Sequence, residues 1–521
     1  MQAGEAVFQD AEESEGRDRS LGASLSYGFG QAFMEAERRI LALLHLFQGF
    51  VNVQVLRNMG APGTDRALPE LEGFTDEQGM ALLDRAAEIG LLTAHGGGLY
   101  SIHPVLPWYF RRLFEAHYDA PERLRAARAY VTAMGGLGEF YLRQHTEGNR
   151  DVIDLLAAEE ANLLHARHLA REHGWWDAVI GAMQGLHALY AQRGRRAEWR
   201  RLVEEIAPNF VDGATGGPLP GREDEWGLVM EYHVRLAMET MDWAEAERLQ
   251  QAQVAWFHRR AAPLLAQPTG ELDAAGRNAI RTLAVSLGML GHILREQGRD
   301  ECVAMYEEAI PLYQRINDRA GEAVDSFNLG HAYKNLPTLR DLNRAEDWYR
   351  RSLALRGARD RLGQSKCYNQ LGSVALERFR EAREAGQPVE VLLKHLTAAA
   401  GYYQQALELT PPDAVDDLAV THNQLGIIYG EAGQIDRALH HWGESIRYEE
   451  IQGHRYGAGQ TRIAVAVALA RAGRLQDALL YARRALEDFR PYGAGAADAM
   501  QMTQRLIAQI EEDLRRRGGG G

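Results

Sequence analysis

The sequence predicts an all-α fold: an α-α superhelix of stacked helix pairs behind a small N-terminal helical domain closed by a hairpin. Three observations predict it. First, the last third repeats itself. Leu425-Gly426, Tyr429, Ala438, Trp442 and Ser445 recur 40 residues on as Val465-Ala466, Leu469, Ala478, Ala482 and Ala485, with the same internal spacing. Second, looser copies precede them. Leu329-Gly330 and Tyr333 lead to Ala345, Tyr349 and Ser352, Leu371-Gly372 and Ala375 lead to Ala399, Tyr403 and Ala406, and Leu290-Gly291 and Leu294 lead to Tyr306 and Ala309. Third, 521 residues are too many for one compact core, and a stack of units that each bury a face on the next accounts for the length.

Each element has a local reason. Residues 1–25 are rich in Gly, Ser and acid and are expected to be a disordered tail. From Met34 the apolar residues Ile40, Leu41, Leu43, Leu44, Leu46 and Phe47 cover one helical face, and a short helix is expected over Val51–Met59. Thr75-Asp76-Glu77 offers a cap and an acidic first turn for a third helix, which Gly90 stops. Two short apolar runs around Gly96-Gly97-Gly98 read as one hairpin over 91–102. Three helices and a hairpin make a winged helix, placed at 26–104. Residues 105–222 read as atypical helical repeats up to a Gly/Pro-rich break. Regular repeats follow over 223–494, then a capping helix over 495–517 and a Gly tail, 518–521. The insertion between Glu377 and Lys394 interrupts one repeat.

The large–small pair, the bulky residue three or four further on and the small residue in the second helix form the tetratricopeptide pattern. Small residues sit where two helices cross closely, and large ones fill the space beside them. The joining segments also resemble one another: Asn317-Asp318-Arg319-Ala320-Gly321, Arg359-Asp360-Arg361-Leu362-Gly363 and Gly453-His454-Arg455-Tyr456-Gly457. A 40-residue period with this Arg-x-Gly opening resembles the long-period subtype of multidomain signalling proteins.

Three further stretches carry a wider resemblance: Glu35-Ala36-Glu37-Arg38-Arg39-Ile40-Leu41-Ala42-Leu43-Leu44, Tyr100-Ser101-Ile102-His103-Pro104 and Glu159-Glu160-Ala161-Asn162-Leu163-Leu164. With the order of parts, they resemble the C-terminal half of a STAND-class signal-transduction NTPase, in which an NB-ARC-like module precedes a winged helix and repeats. The resemblance implies that His103, matching the histidine of the family's Met-His-Asp motif, senses nucleotide; Pro104 replaces the aspartate, whose role does not carry over. The phosphate-binding Gly-x4-Gly-Lys-Ser/Thr is absent from this sequence. The chain is therefore expected to be either part of a longer NTPase or a relative without that module.

Composition narrows the chemistry. A net charge of −14 disfavours polyanions. Cys302 and Cys367 stand far apart on predicted helices and suit a reducing cytoplasm rather than a disulfide or metal framework. No signal peptide or membrane span is expected. Only three of the 58 Lys and Arg residues are lysines: Lys334, Lys366 and Lys394. The pairs His165/His168 and His440/His441 lack convergent partners, so no metal or cofactor is expected. These histidines, and Glu159, Glu160, Glu449 and Glu450, read as exposed or capping groups. Trp348, Tyr349, Tyr402, Tyr403 and Trp442 fall largely on core positions. The third helix carries Asp76, Glu77, Asp84 and Glu88 against Arg85, and residues 1–120 hold 17 acids against 9 arginines. That balance argues against DNA.

The remaining candidate is the groove lined by the first helix of each unit. Its expected solvent-facing contacts are Asn328, His331 and Lys334, then Lys366, Asn369, Gln370 and Ser373, then Asn423 and Gln424, then Gln460. Amides donate and accept, so they can hold an extended peptide backbone. The function expected is a non-enzymatic sensor and scaffold that binds a peptide or protein partner and couples it, through the winged helix, to an NTPase module. The alternative is a stand-alone transcriptional regulator whose repeats bind a ligand and whose winged helix touches DNA.

Overall fold

The structure, a computed structural model, describes residues 29–61, 67–104, 106–146, 149, 151–213 and 215–518. The segment 1–25 and residues 519–521 of the tail lie outside these. The chain divides into two compact units, 1–236 and 237–521.

Unit 1 opens with α1 (Glu35–Ala42), continued by a 3-10 turn over Leu43–Leu46, then β1 (Phe50–Asn52), α2 (Val53–Met59), α3 (Asp76–Glu88), β2 (Leu92–Gly96) and β3 (Leu99–Ile102). Thr75 caps α3 reciprocally: its Oγ accepts from Gln78 N–H at 3.3 Å, and its own N–H donates to Gln78 Oε1 at 3.0 Å. The hairpin is β2–β3. A third strand, β1, pairs antiparallel with β3 (Val51 opposite Tyr100), giving the order β1-β3-β2. Sequence reading places Val51 and Asn52 in a helix, but α2 starts at Val53 because Asn52 is its cap, Oδ1 accepting from Gln54 N–H at 2.9 Å. A three-residue strand that ends on a helix cap leaves too short an alternation to read.

Five helices follow: α4 (Pro107–His117), α5 (Ala120–Thr146), α6 (Val152–Glu172), α7 (Trp176–Gln192) and α8 (Arg196–Ile206). Then α9 (Glu223–Glu239) runs across the boundary between the units. The weak consensus here has a packing reason. α5 and α7 approach backbone to backbone, so that a Cβ on Gly138 would meet the carbonyl oxygen of Gly181 at 2.4 Å.

Unit 2 is the regular part. After α10 (Trp243–Leu265) come five pairs: α11 (Ala274–Glu296) with α12 (Cys302–Ile316), α13 (Arg319–Asn335) with α14 (Leu342–Leu355), α15 (Arg361–Glu384) with α16 (Val389–Leu409), α17 (Val415–Glu431) with α18 (Ile435–Ile451), and α19 (Arg455–Arg471) with α20 (Leu475–Phe489). The closing helix α21 spans Ala497–Gly518. The fold is an all-α solenoid of tetratricopeptide type, and the small sheet of unit 1 is a minor addition. The insertion between Glu377 and Lys394 keeps only the short turn 385–388 outside helix; it lengthens α15 and α16 to 24 and 21 residues, against 17 each in α17 and α18. No described helix is long and apolar enough to cross a membrane.

The recurring sequence signals have physical roles. The small member of each large–small pair seats the aromatic residue of the second helix. A Cβ on Gly291, Gly330, Gly372 or Gly426 would lie 2.8, 2.6, 2.7 and 2.5 Å from the rings of Tyr306, Tyr349, Tyr403 and Trp442. In the fifth pair both members change together, to Ala466 and Ala482, each fully buried. The Asp-Arg-x-Gly opening is a double cap. Asp318 and Asp360 accept from the N–H groups of Gly321 and Gly363 at 3.0 and 2.9 Å. Arg319 and Arg361 donate to the carbonyls of Ala354 and Glu408, closing the C-terminal ends of α14 and α16.

This register predicts a mutational contrast. Ala438 is fully buried at the close crossing of α17 and α18, so Ala438→Trp should destabilise by roughly 1–3 kcal/mol or more. Asp436→Ala, two residues away with its side chain 99% exposed, should leave the melting temperature unchanged. Equal melting curves for the two variants would contradict the register.

Candidate functional site: the open face of the first helices

In every pair, the residue five before the large member of the large–small pair is exposed. These residues are Val285, Val324, Lys366, Val420 and Gln460. The three valines are 49, 49 and 53% exposed, while the pairs behind them are buried. One line of positions on α11, α13, α15, α17 and α19 is therefore left open. Lys366 and Gln460 were legible in the sequence as groove residues. The valines were not, because amides and charges attract attention as ligand contacts and aliphatics do not. Counting back five from each pair finds all of them.

Beyond that line, toward the C-terminal ends of α11, α13 and α15, the first three repeats are polar. Lys334 is half-buried, and its ammonium donates to Gln370 Oε1 at 2.6 Å and Ser373 Oγ at 3.2 Å, both neutral. Burial pushes it down to about 8, with Arg340 adding to the effect and Glu377 opposing it. His331 packs edge-on against Phe327 and Tyr349. Burial first, then Lys334, Arg295 and His292, push it down to about 3, so it is neutral. Arg295 donates to Asn328 Oδ1 at 3.2 Å, to His292 Nδ1 at 2.8 Å and to Glu296 at 2.8 Å. The structure thus brings Asn328, His331, Lys334, Gln370 and Ser373 together and adds His292 and Arg295, which sequence reading missed. Lys366 stands apart, 48% exposed and 4.0 Å from Asp417.

Asn369 departs from expectation. It is only 8% exposed, and its Oδ1 accepts from Thr421 Oγ at 3.1 Å, so it joins α15 to α17 instead of facing solvent. Asn423 and Gln424 are half-buried, and Asn423 Oδ1 has no partner among the described residues.

The last two repeats make the face apolar. A cleft of about 500 Å³ opens between α17 and α19, walled by Ile427, Ala464, Val467 and Ala468. Gly430 and the Trp442 indole also line it. A Cβ on Gly430 would sit 2.9 Å from the indole, so glycine leaves room for the ring at the floor of the cleft. Glu431 and Arg471, 3.7 Å apart, stand at its edge.

Other candidate groups resolve differently. His103 is exposed just after β3. Of the histidine pairs, His168 and His440 are exposed, but His165 and His441 are half-buried. Burial pushes each of these two down to about 4, and His441 stacks on Tyr429 with its Nδ1 3.1 Å from that of His422. No group of three or more metal-ligating side chains converges among the described residues. Glu160 accepts from Tyr190 and Arg195 at 2.7 and 2.8 Å, and Glu450 pairs with the buried Arg462.

Glu159 is not solvated as expected; it is 1% exposed. It accepts from Asn162 Nδ2 at 2.7 Å, and Asn162 also donates to Phe50 C=O at 2.9 Å and accepts from Gln48 N–H at 2.6 Å. The Glu159–Leu164 stretch therefore fastens α6 to β1 and the turn before it.

No protein-family model matches the chain, and no curated protein matches it in sequence. Several solved structures show a likeness in fold. BtubC from P. vanneervenii is 19% identical, with 47% of this chain and 92% of that chain covered and a TM-score of 0.35. A STAND ATPase with a tetratricopeptide repeat sensor from Pyrococcus horikoshii is 14% identical, with 92% of this chain and 66% of that longer chain covered and a TM-score of 0.44. Human IFIT1, in a dimer with PPP-AAAA, is 13% identical, with 74% of this chain and 90% of that chain covered and a TM-score of 0.27.

Beside the polar half of the face lies Asp325, 3% exposed, with Oδ2 unpartnered among the described residues. Burial raises it to about 7, opposed by Asn328. The folded chain therefore holds a proton there that the unfolded chain releases near the ordinary carboxylate range. Stability is lost as pH rises from about 4 through 7, and the loss is complete above 7. Asp325→Asn should match the native chain near pH 4 and exceed it at pH 8, by roughly 1–4 kcal/mol. Denaturant melts at the two pH values check this. A difference between the two chains that does not change with pH would contradict it.

Proposed function

We propose that this chain is a non-enzymatic sensor and scaffold region. Its repeats bind a peptide or protein partner along the open face of α11, α13, α15, α17 and α19. Residues 26–104, read as a winged helix, couple that binding to a signalling NTPase module in a longer parent protein, with His103 as the nucleotide-sensing residue.

The shared exposure of Val285, Val324, Lys366, Val420 and Gln460 carries the binding half of this reading. Aliphatic side chains lined up in solvent add nothing to the stability of the folded chain, and they gain free energy only when something covers them. Asn162 supports the coupling half. An amide bonded both to α6 and to the β1 backbone makes the small sheet follow any movement of that helix. The DNA-touching alternative finds less support, because Arg85, the basic residue of α3, is already paired with Glu37.

Selection of a random-peptide display library on the intact chain tests the binding half. Enriched peptides should lose at least about tenfold in affinity, or about 1.4 kcal/mol, when Val324, Lys366 and Gln460 are together changed to Glu. Changing Glu307 and Asp347, exposed on the second helices, to Lys should leave binding intact. The reverse pattern would place the partner on the other face. The purified chain should also neither bind ATP tightly nor turn it over in titration and phosphate-release assays; turnover that survives stringent purification would contradict the non-enzymatic reading.

A further inference from the structure

The open face changes character along its length. Its near end presents His292, Arg295, His331 and Lys334 on α11 and α13; at the same register its far end presents Ile427, Gly430, Val467 and Ala470 on α17 and α19. Two features at opposite ends are incomplete on their own. Lys334 is a half-buried cation that donates to two neutral oxygens, with no ion pair among the described residues. The cleft over Trp442 is an apolar space of about 500 Å³ left open to solvent.

The scarcity of lysine adds to this. Only three of the 58 Lys and Arg residues are lysines, yet two of them, Lys334 and Lys366, stand on this face. An arginine fork would demand several planar acceptors at position 334, whereas an ammonium on Gln370 and Ser373 keeps its remaining N–H for one further acceptor. A carboxylate is the acceptor that would also compensate the charge. The adjacent Arg295, itself partly balanced by Glu296, keeps the local potential favourable to it.

We propose that this face binds one extended segment of a protein partner that carries an acidic residue and a large apolar residue a fixed distance apart. The carboxylate accepts from Lys334 and the apolar side chain fills the cleft over Trp442. This inference rests on the binding half of the proposed function and specifies its ligand. The spacing follows from helix packing. Lys334 bridges α13 and α15, and the cleft lies between α17 and α19, two helix spacings further along. At about 8–10 Å per spacing this is roughly 16–20 Å, and an extended chain rising about 3.3 Å per residue covers it in about five or six residues.

The random-peptide display selection on the intact chain is again the probe, now read for sequence. The expected motif is Asp or Glu five or six positions from Leu, Ile, Met, Phe or Trp. A synthetic peptide of that motif is then titrated by fluorescence anisotropy. Changing its acid to the amide should weaken binding to the native chain at least about tenfold but leave binding to Lys334→Gln unaffected. Changing its apolar residue to Ala should weaken binding to the native chain to a similar degree but leave binding to Ala468→Leu, which narrows the cleft, unaffected. The peptide substitutions cannot disturb the protein's folding, and melting curves confirm that both protein variants are intact. Enriched peptides that lack the paired motif, or that lose the same factor on native chain and variants, overturn this inference and leave groove binding standing. A selection that enriches nothing overturns both.

Discussion

Four of the five helix pairs of unit 2 are built around one contact, a ring pressed against a helix backbone that has no Cβ. Tyr306, Tyr349, Tyr403 and Trp442 sit where Gly291, Gly330, Gly372 and Gly426 leave room, and any larger residue would overlap the ring. Glycine inside a helix costs about 1 kcal/mol relative to alanine. Burying an aromatic side chain gains about 1.5–3 kcal/mol, so the exchange favours the folded repeat. The contact also sets the crossing of the two helices in a pair, and with it the angle at which the next pair stacks.

The open face follows from that contact. Once the large–small pair is turned toward the second helix, the position five residues earlier must point away from it. This is why Val285, Val324, Lys366, Val420 and Gln460 are exposed alike despite their different chemistry. The Asp-Arg-x-Gly openings fix where α13 and α15 start, with Asp318 and Asp360 capping them and Arg319 and Arg361 tying each to the C-terminal end of the second helix of its own pair. What varies from repeat to repeat is left to the groove positions, polar around Lys334 and apolar around Trp442.

Much of this was legible in the sequence because a repeated unit displays its rules several times. The pairs, their period and the core role of Tyr349, Tyr403 and Trp442 follow from spacing alone. Singular features were not legible. β1 is three residues long and ends on a helix cap, so it leaves no alternation. Asn369 shares its register with Asn423, and only its contact with Thr421 on the next first helix takes it out of solvent. Glu159 looks like any surface acid on a helix, and its burial depends on Asn162, which in turn holds Phe50 and Gln48, 112 and 114 residues before it in sequence. The groove's chemistry was half legible: its amides and lysines attract attention, whereas its valines and the cleft over Trp442 need the register first.

The fifth repeat supplies the most direct test of the central contact, because there glycine and aromatic are both replaced by alanine, at Ala466 and Ala482. The measurement is a thermodynamic cycle at Gly426 and Trp442, read by denaturant unfolding. With Trp442 in place, Gly426→Ala forces a Cβ into the indole and should destabilise by roughly 1–3 kcal/mol. In the Trp442→Ala background the same substitution meets open space. There it should stabilise, by about 0.5–1 kcal/mol from helix propensity. The account predicts this change of sign; a Gly426→Ala effect of the same sign and size in both backgrounds would contradict it.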